Sequence, residues 1–324
     1  MEIRSLRYFM QIAELGSVTA AAQRLRVAQP SLTRHLHKLE DDLGVALFVR
    51  AHRGVELTAA GRSLLERATR ILNDVDRVSR ELRLEGNEPS GKVVLGITPT
   101  LCPVLLPQLI ARLQRDFPKI ELDIQQSGSM KLPDWLMDGR VDAAIMAQIG
   151  SHRYITAEPL AREEMVLLTA PGTRPHCAVE AGELSDTGLI ITEALLAIMR
   201  GLLEGRSIDL RVDLVLNSLE TIRLMAQQGL CRTIMPYSII RRDDEHGLLD
   251  VHRLLDGSMQ RQLVLATATG RRMAPATEAV INIIKAIVAD VESQNGFVAT
   301  ERSSGARSAK TFARASTGHR GSKR

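Results

Sequence analysis

Along residues 1–57, apolar positions recur in short helical blocks separated by tight turns. Leu6, Phe9, Ile12 and Ala13 share one face of a first helix, which Gly16 ends. Ser17 follows, where a hydroxyl can accept a free backbone N–H, and it opens a compact second helix through Ala20, Ala21, Ala22 and Leu25. Arg26, Val27 and Ala28 make a turn. Gln29 and Pro30 then start a third helix, with the proline in the first turn, where its missing N–H costs little. Leu32, Leu36 and Leu39 form its buried side and leave Ser31, Thr33, Arg34, His35 and Lys38 pointing outward. The stretch from Gly44 to Leu57 reads as two short strands around a basic turn that carries Arg50 and Arg53.

A different pattern fills residues 58–87. Thr58 can cap a long helix, and no proline intervenes before Pro89. Leu64, Ala68, Ile71, Val75, Val78 and Leu82 are spaced alternately four and three apart, the stripe of a coiled-coil seam. A polar helix with one narrow apolar stripe needs a partner, so this stripe is expected to pair two subunits. Gly86 to Gly91 reads as a hinge.

From residue 91 to 290 strand-like and helix-like segments alternate. Lys92–Ile97, Ile120–Ile124 and Val141–Met146 read as strands, with helices after Thr100 and around Trp135. This order predicts a parallel sheet covered by helices on both faces. A second set follows, with strands near 165–170, 188–192, 210–216 and 232–235 and helices near 194–204 and 218–228; a strand at 261–268 and a helix at 275–289 close it. Ligands of such folds sit at the carboxyl ends of strands, near helix N-termini. Thr98 and Thr100, Ser129 and Thr192 stand at those places and are the candidate residues for binding a carboxylate or similar polar effector.

Composition narrows the picture. Aromatic residues make up only 3% of the 324-residue chain, so its cores are aliphatic. The net charge of +4 leans basic, with much of the excess in residues 294–324, which read as a disordered basic tail. Cys102, Cys177 and Cys231 are far apart and in no metal or disulfide spacing, which fits buried small hydrophobes in a reducing cytoplasm. His35 and His37 lie about 200° apart around their helix and are poorly placed to share a metal. No apolar run reaches the ~20 residues of a membrane span, and no secretory leader is evident, so a cytoplasmic protein is expected. Neither metal nor resident cofactor is expected.

A helix–turn–helix followed by a basic hairpin fits double-stranded DNA, because the major groove admits one helix. The segment SVTAAAQRLRVAQPSLTRHLHKLEDDLGVALFVRAHRGVELTAAG resembles the LysR-type transcriptional regulators, through Ala21-Ala22, Leu25, Gln29–Leu32, Leu39-Glu40, Leu43-Gly44, Leu47-Phe48, Arg50, Thr58, Ala60 and Gly61. Ala28 departs from the family, which often has serine there. The resemblance covers about residues 1–290 and extends, in NSLETIRLMAQQGL and IMPYS, to regulators similar to the nitrogen assimilation control proteins, with a strand and turn at IMPYS. It implies an N-terminal winged helix-turn-helix (1–57), a linker helix and hinge (58–90), and a C-terminal α/β two-lobed, periplasmic-binding-protein-like effector domain (91–293). The expected lobes are 91–161 with 267–290, and 162–266.

By the same resemblance Gln29, Pro30, Ser31, Thr33 and Arg34 face DNA, Arg50 and Arg53 are wing contacts, and Thr98, Thr100 and Ser129 face the effector. Lys38 joins the DNA set as an outward base on the same helix. The implied partners are an interrupted inverted repeat of DNA, a second copy as homodimer or homotetramer, a small-molecule effector, and RNA polymerase for an activator. Two rival readings are an α/β enzyme and a periplasmic solute-binding protein. Against the first, no GxGxxG, GxxxxGK[ST], GxSxG or HExxH motif occurs, and His152, His176, His246 and His252 sit in polar or Pro/Gly-rich surroundings with no paired carboxylate motif. Against the second stand the lack of a leader and the first 60 residues.

Overall fold

The computed structural model describes residues 1–82, 88–148, 150, 152–173, 179–254, 259–293 and 297; Cys177, His176 and the basic tail lie outside them. The N-terminal unit consists of α1 (Ile3–Leu15), α2 (Val18–Leu25), α3 (Gln29–Leu43), β1 (Phe48–Arg50) and β2 (Val55–Leu57). Leu6, Phe9 and Ile12 pack against Ala21, Ala22, Leu32, Leu36, Leu39 and Leu47. Local chemistry sets the boundaries. Gly16 ends α1 in the left-handed conformation, and the Ser17 hydroxyl accepts the Ala20 N–H at 3.3 Å. At the start of α3, Ala28 provides no side-chain cap.

The wing is held on both sides. The Glu40 carboxylate accepts the Leu47 N–H at 2.7 Å, and the Val55 N–H donates to the Gly16 carbonyl at 2.9 Å. Gly54 is required here: its φ is +90°, and a Cβ would lie 2.1 Å from the Gly16 oxygen. Gly54→Ala is therefore expected to destabilise the N-terminal unit by about 1–3 kcal/mol. A thermal melt of the variant checks this, and an unchanged melting temperature would contradict it.

Helix α4 (Ala59–Leu82) follows, with the Thr58 hydroxyl accepting the Gly61 N–H at 2.9 Å. The expected pairing stripe divides along its length. Ala68 is 0% exposed and, with Leu64, Leu65 and Leu72, belongs to the core of the N-terminal unit. Ile71 and Val78 are 39% and 46% exposed and Val75 is half-buried; the side chain of Leu82 lies outside the description. The correction has a simple cause. A heptad pattern records that a face is apolar, not whether the chain's own domain or a second copy covers it.

The C-terminal unit consists of β3 (Gly91–Ile97), a 3-10 turn (Pro99–Leu101), α5 (Cys102–Asp116), β4 (Ile120–Gln126), α6 (Leu132–Met137), β5 (Ala143–Ala147), β6 (Ile155–Thr169), α7 (Ala181–Asp186), β7 (Leu189–Ile191), α8 (Glu193–Leu202), β8 (Val212–Val215), α9 (Leu219–Gln227), β9 (Thr233–Pro236), α10 (Tyr237–Glu245), β10 (Asp250–Arg253), β11 (Gln260–Ala268) and α11 (Pro275–Ser293). Strand β3 runs parallel to β4 and β5, and β7 runs parallel to β8. Strand β11 is antiparallel to β5 and β6, and β6 is antiparallel to β9 and β10. The sheet is thus mixed, against the parallel expectation, because β6 and β11 run between the lobes in opposite directions.

Two separate cores mark the lobes. One joins β3, α5, β5, the first half of β6, β11 and α11; the other joins residues from Met165 to Met259. Leu263 and Leu265 pack in the first core, so the expected division at 266/267 moves back to the start of β11. The segment after β9 is helix α10 rather than a turn. Its largely polar sequence buries only Ile240 and Asp243, which leaves little periodic signal. Helix α7 and strand β10 were also without a clear signal in the sequence.

Candidate nucleic-acid interface and effector cleft

Helix α3 presents a groove lined by Gln29, Pro30, Thr33, Arg34 and His37. At about 100° per residue Pro30, Thr33, Arg34 and His37 fall within an arc of about 100° turned away from Leu32, Leu36 and Leu39, with Gln29 at the groove's edge. The Thr19 hydroxyl donates to the Gln29 amide oxygen at 3.2 Å, which ties α2 to the groove's edge. Arg34, Arg50 and Arg53 are exposed and form no ion pair among the described residues. Ser31 is exposed on the flank. Lys38 is exposed too, but its ammonium pairs with Glu2 at 2.6 Å. That hydrogen bond holds Glu2 below the usual carboxylate range and Lys38 above its own ordinary value.

Both histidines read as surface residues in the sequence, and His35 departs from that expectation while His37 keeps to it. His35 is half-buried, 3.3 Å from the Ser5 hydroxyl and edge-on to the Tyr8 ring at 5.2 Å. His37 is exposed and lines the groove, with Glu40 3.4 Å away. The helical period could have shown this, since position 35 is three residues after Leu32 and four before Leu39.

Thr98, Thr100, Ser129 and Thr192 are all buried. The carboxyl end of β5 collects the first-lobe members: the Thr98 N–H donates to Ile145 O at 3.2 Å, and the Ser129 hydroxyl accepts the Ala147 N–H at 3.1 Å. Across the cleft the Thr192 hydroxyl caps α8 by accepting the Leu195 N–H at 3.1 Å. The lobes approach closely here, because a Cβ placed on Gly128 would lie 3.6 Å from the Ala194 Cβ. The Thr100 hydroxyl accepts from Arg261 at 2.9 Å. Arg261 also donates twice to Glu163, at 2.6 and 2.8 Å, and Ser238 donates to the other Glu163 oxygen.

This ion pair, at 2% and 0% exposure, is a buried polar cluster beside Thr100 that sequence reasoning missed. Its members lie 98 residues apart, and no local spacing connects them. The Thr98 hydroxyl is buried with no hydrogen-bond partner among the described residues. Replacing it, as Thr98→Val, is expected to leave the free protein's stability unchanged or raised, since a buried unmatched hydroxyl costs about 1–3 kcal/mol. A melting temperature lowered by several degrees would contradict this.

Among the described residues no group of three His, Cys, Asp or Glu side chains could hold a metal ion, and no helix is long and apolar enough to cross a membrane. His252 is buried, with its Nε2 3.0 Å from the Thr169 hydroxyl, rather than in polar surroundings. Cys102 and Cys231 are half-buried and donate weakly to the Thr98 and Ile222 carbonyls.

Residues 3–62 match the bacterial regulatory helix-turn-helix proteins of the lysR family, and residues 86–289 match the LysR substrate binding domain. The hydrogen peroxide-inducible genes activator of Pectobacterium carotovorum subsp. carotovorum is 33% identical over 255 residues, 76% of this chain and 83% of that protein. The nitrogen assimilation regulatory protein nac of Klebsiella aerogenes is 26% identical over 301 residues, 91% of this chain and 98% of its own. Among solved structures, a full-length OxyR variant from Pseudomonas aeruginosa superposes with a TM-score of 0.65 at 27% identity, covering 89% of this chain and 94% of that one. Full-length CbnR complexed with its target DNA shares the fold, with a TM-score of 0.68 at 23% identity over 89% of this chain and all of the other.

Proposed function

The chain belongs to the LysR family of bacterial transcription regulators, and on that premise we propose how its surfaces divide the work. It is a DNA-binding regulator with an effector-binding domain. The groove on α3 supports a DNA role for Gln29, Pro30, Thr33, Arg34 and His37 at base edges in the major groove, and its Arg34, exposed and without an ion pair among the described residues, is the observation that carries this reading. Ser31 and Lys38 flank it toward phosphate, and Arg50 and Arg53 reach the backbone or minor groove from the wing. Two copies pair through Ile71, Val75 and Val78 to place two such helices on an interrupted inverted repeat, and further pairing gives a tetramer. The protein works in the cytoplasm, without catalysis or a resident cofactor, and engages RNA polymerase where it activates.

The effector belongs between the lobes. Thr100, Ser129 and Thr192 each accept a bond from an N–H, so the O–H donor is what each has left to offer. A set of donors beside the unmatched Thr98 hydroxyl selects an acceptor, and a small carboxylate is the fitting class. Peroxide, which some relatives' names invoke, fits poorly at the described thiols. Burial pushes Cys102 up to about 11 and raises Cys231 as well, so both stay protonated and unreactive near neutral pH.

Thermal-shift titration with a panel of small carboxylates tests this reading. A ligand at a hundred times its Kd stabilises by about 2.7 kcal/mol. The shift is expected to vanish in Thr100→Ala with Ser129→Ala while operator binding persists. Loss of DNA binding in that variant, or an undiminished shift, would overturn the assignment.

A further inference from the structure

We propose that α6 carries the state of the effector cleft to the linker helix, through a junction of Arg70, Asn73 and Asp74 with Asp138 and Arg271; the proposal rests on the cleft reading above. Helix α6 spans the gap between the two sites. Its N-terminal end follows directly on Gly128 and Ser129, with the Lys131 N–H donating to the Gly128 carbonyl at 3.0 Å. Its other end is held by the linker. The Asn73 amide donates to the Asp138 carbonyl at 2.9 Å, and the Arg70 guanidinium pairs with the Asp138 carboxylate at 2.5 Å. Arg271 donates to the Leu136 and Met137 carbonyls at 2.9 and 2.8 Å and lies 3.6 Å from Asp74. One side chain therefore closes the last turn of α6 and meets α4.

The helix between these ends is short and stiff. Six residues rise about 9 Å. Leu132 and Leu136 are buried against Val141, Ala144, Met146, Val264 and Ala266. Gly96 on β3 packs so closely that a Cβ there would lie 2.8 Å from the Leu132 methyl. A shift of the Gly128–Ser129 loop moves α6 as a body and carries the Asp138 end with it. The junction itself is loosely built: a cavity of about 280 Å³, lined in part by Asn73, Asp74, Asp142, Arg271 and Thr277, lies beside it. The ion pairs across it are partly exposed. Weak polar bonds beside open space let α4 change its angle on the lobe, which a close-packed apolar contact would resist.

Hydrogen exchange of the full-length protein tests this without an effector in hand. Gly128→Leu wedges the cleft against Ala194, and Gly128→Val is the smaller wedge should the first fail to fold. The wedge is expected to change exchange several-fold both in α6 and in residues 66–76. With Arg70→Asp added, the α6 change should persist while the linker change disappears, and the swap Arg70→Asp with Asp138→Arg should restore it. A purely structural role for the pair would not give that rescue. A response in α6 that never reaches residues 66–76, or a linker response indifferent to Arg70→Asp, overturns the coupling and leaves the cleft reading standing. No response in either element overturns both.

Discussion

Glu163→Ala is expected to cost about 3–5 kcal/mol of stability, more than any other single change considered, because it leaves the Arg261 charge buried without its partner. Both side chains are sealed at the point where β6 and β11 cross between lobes. Arg261 would keep only its bond to the Thr100 hydroxyl, and Ser238 would lose its acceptor. Glu163→Gln keeps the shape and an acceptor oxygen and should lose clearly less. Replacing both ion-pair members with well-packed apolar residues should recover much of the loss, since such pairs gain little over good packing. Urea unfolding of the three variants measures this, and near wild-type stability in Glu163→Ala would mean that the guanidinium finds water or another acceptor.

Arg34→Ala should weaken specific operator binding by roughly 10- to 100-fold, the equivalent of the ~1–3 kcal/mol that a base-edge contact contributes. Arg34 lines the α3 groove without a competing carboxylate among the described residues, so its loss removes a contact and relieves nothing. Lys38→Ala is the useful contrast. Its ammonium already has Glu2, so a smaller loss is expected, shared between operator and random DNA. Fluorescence anisotropy across a salt series separates the two, because phosphate contacts steepen the salt dependence while base contacts set the ratio of specific to nonspecific binding. Equal, purely salt-governed binding by wild type and Arg34→Ala would remove α3 from the recognition surface.

What the sequence made legible was local. Ser17, Pro30, Gly16 and Thr58 mark helix boundaries by chemistry that acts over a few residues, and each stands at the boundary it marks. What stayed hidden depends on distant partners. The strand-like run at 261–268 located β11 but could not give its direction, and Leu263 and Leu265 read equally well in either lobe. Leu64 and Ala68 satisfy a coiled-coil stripe and a domain core at once. Of the effector candidates, hydroxyls at strand ends could be named, but not that three of them already accept bonds and that Thr98 does not.

The insertion of one lobe into the other also orders the folding of the molecule. Helix α11 supplies Ala276, Val280, Ile284, Ile287 and Val288 to a core whose other walls, β3 and α5, lie some 170 residues earlier. The intervening lobe is made of one continuous segment and has its own core, so it can condense as soon as its chain is complete. The first lobe must wait until α11 has been synthesised, and its apolar face stays open meanwhile. Contacts of such wide sequence separation form slowly. A nascent chain stalled before residue 275 would thus hold a finished second lobe beside an unfinished, aggregation-prone first one, which makes the extreme end of the domain the kinetic lock on the whole.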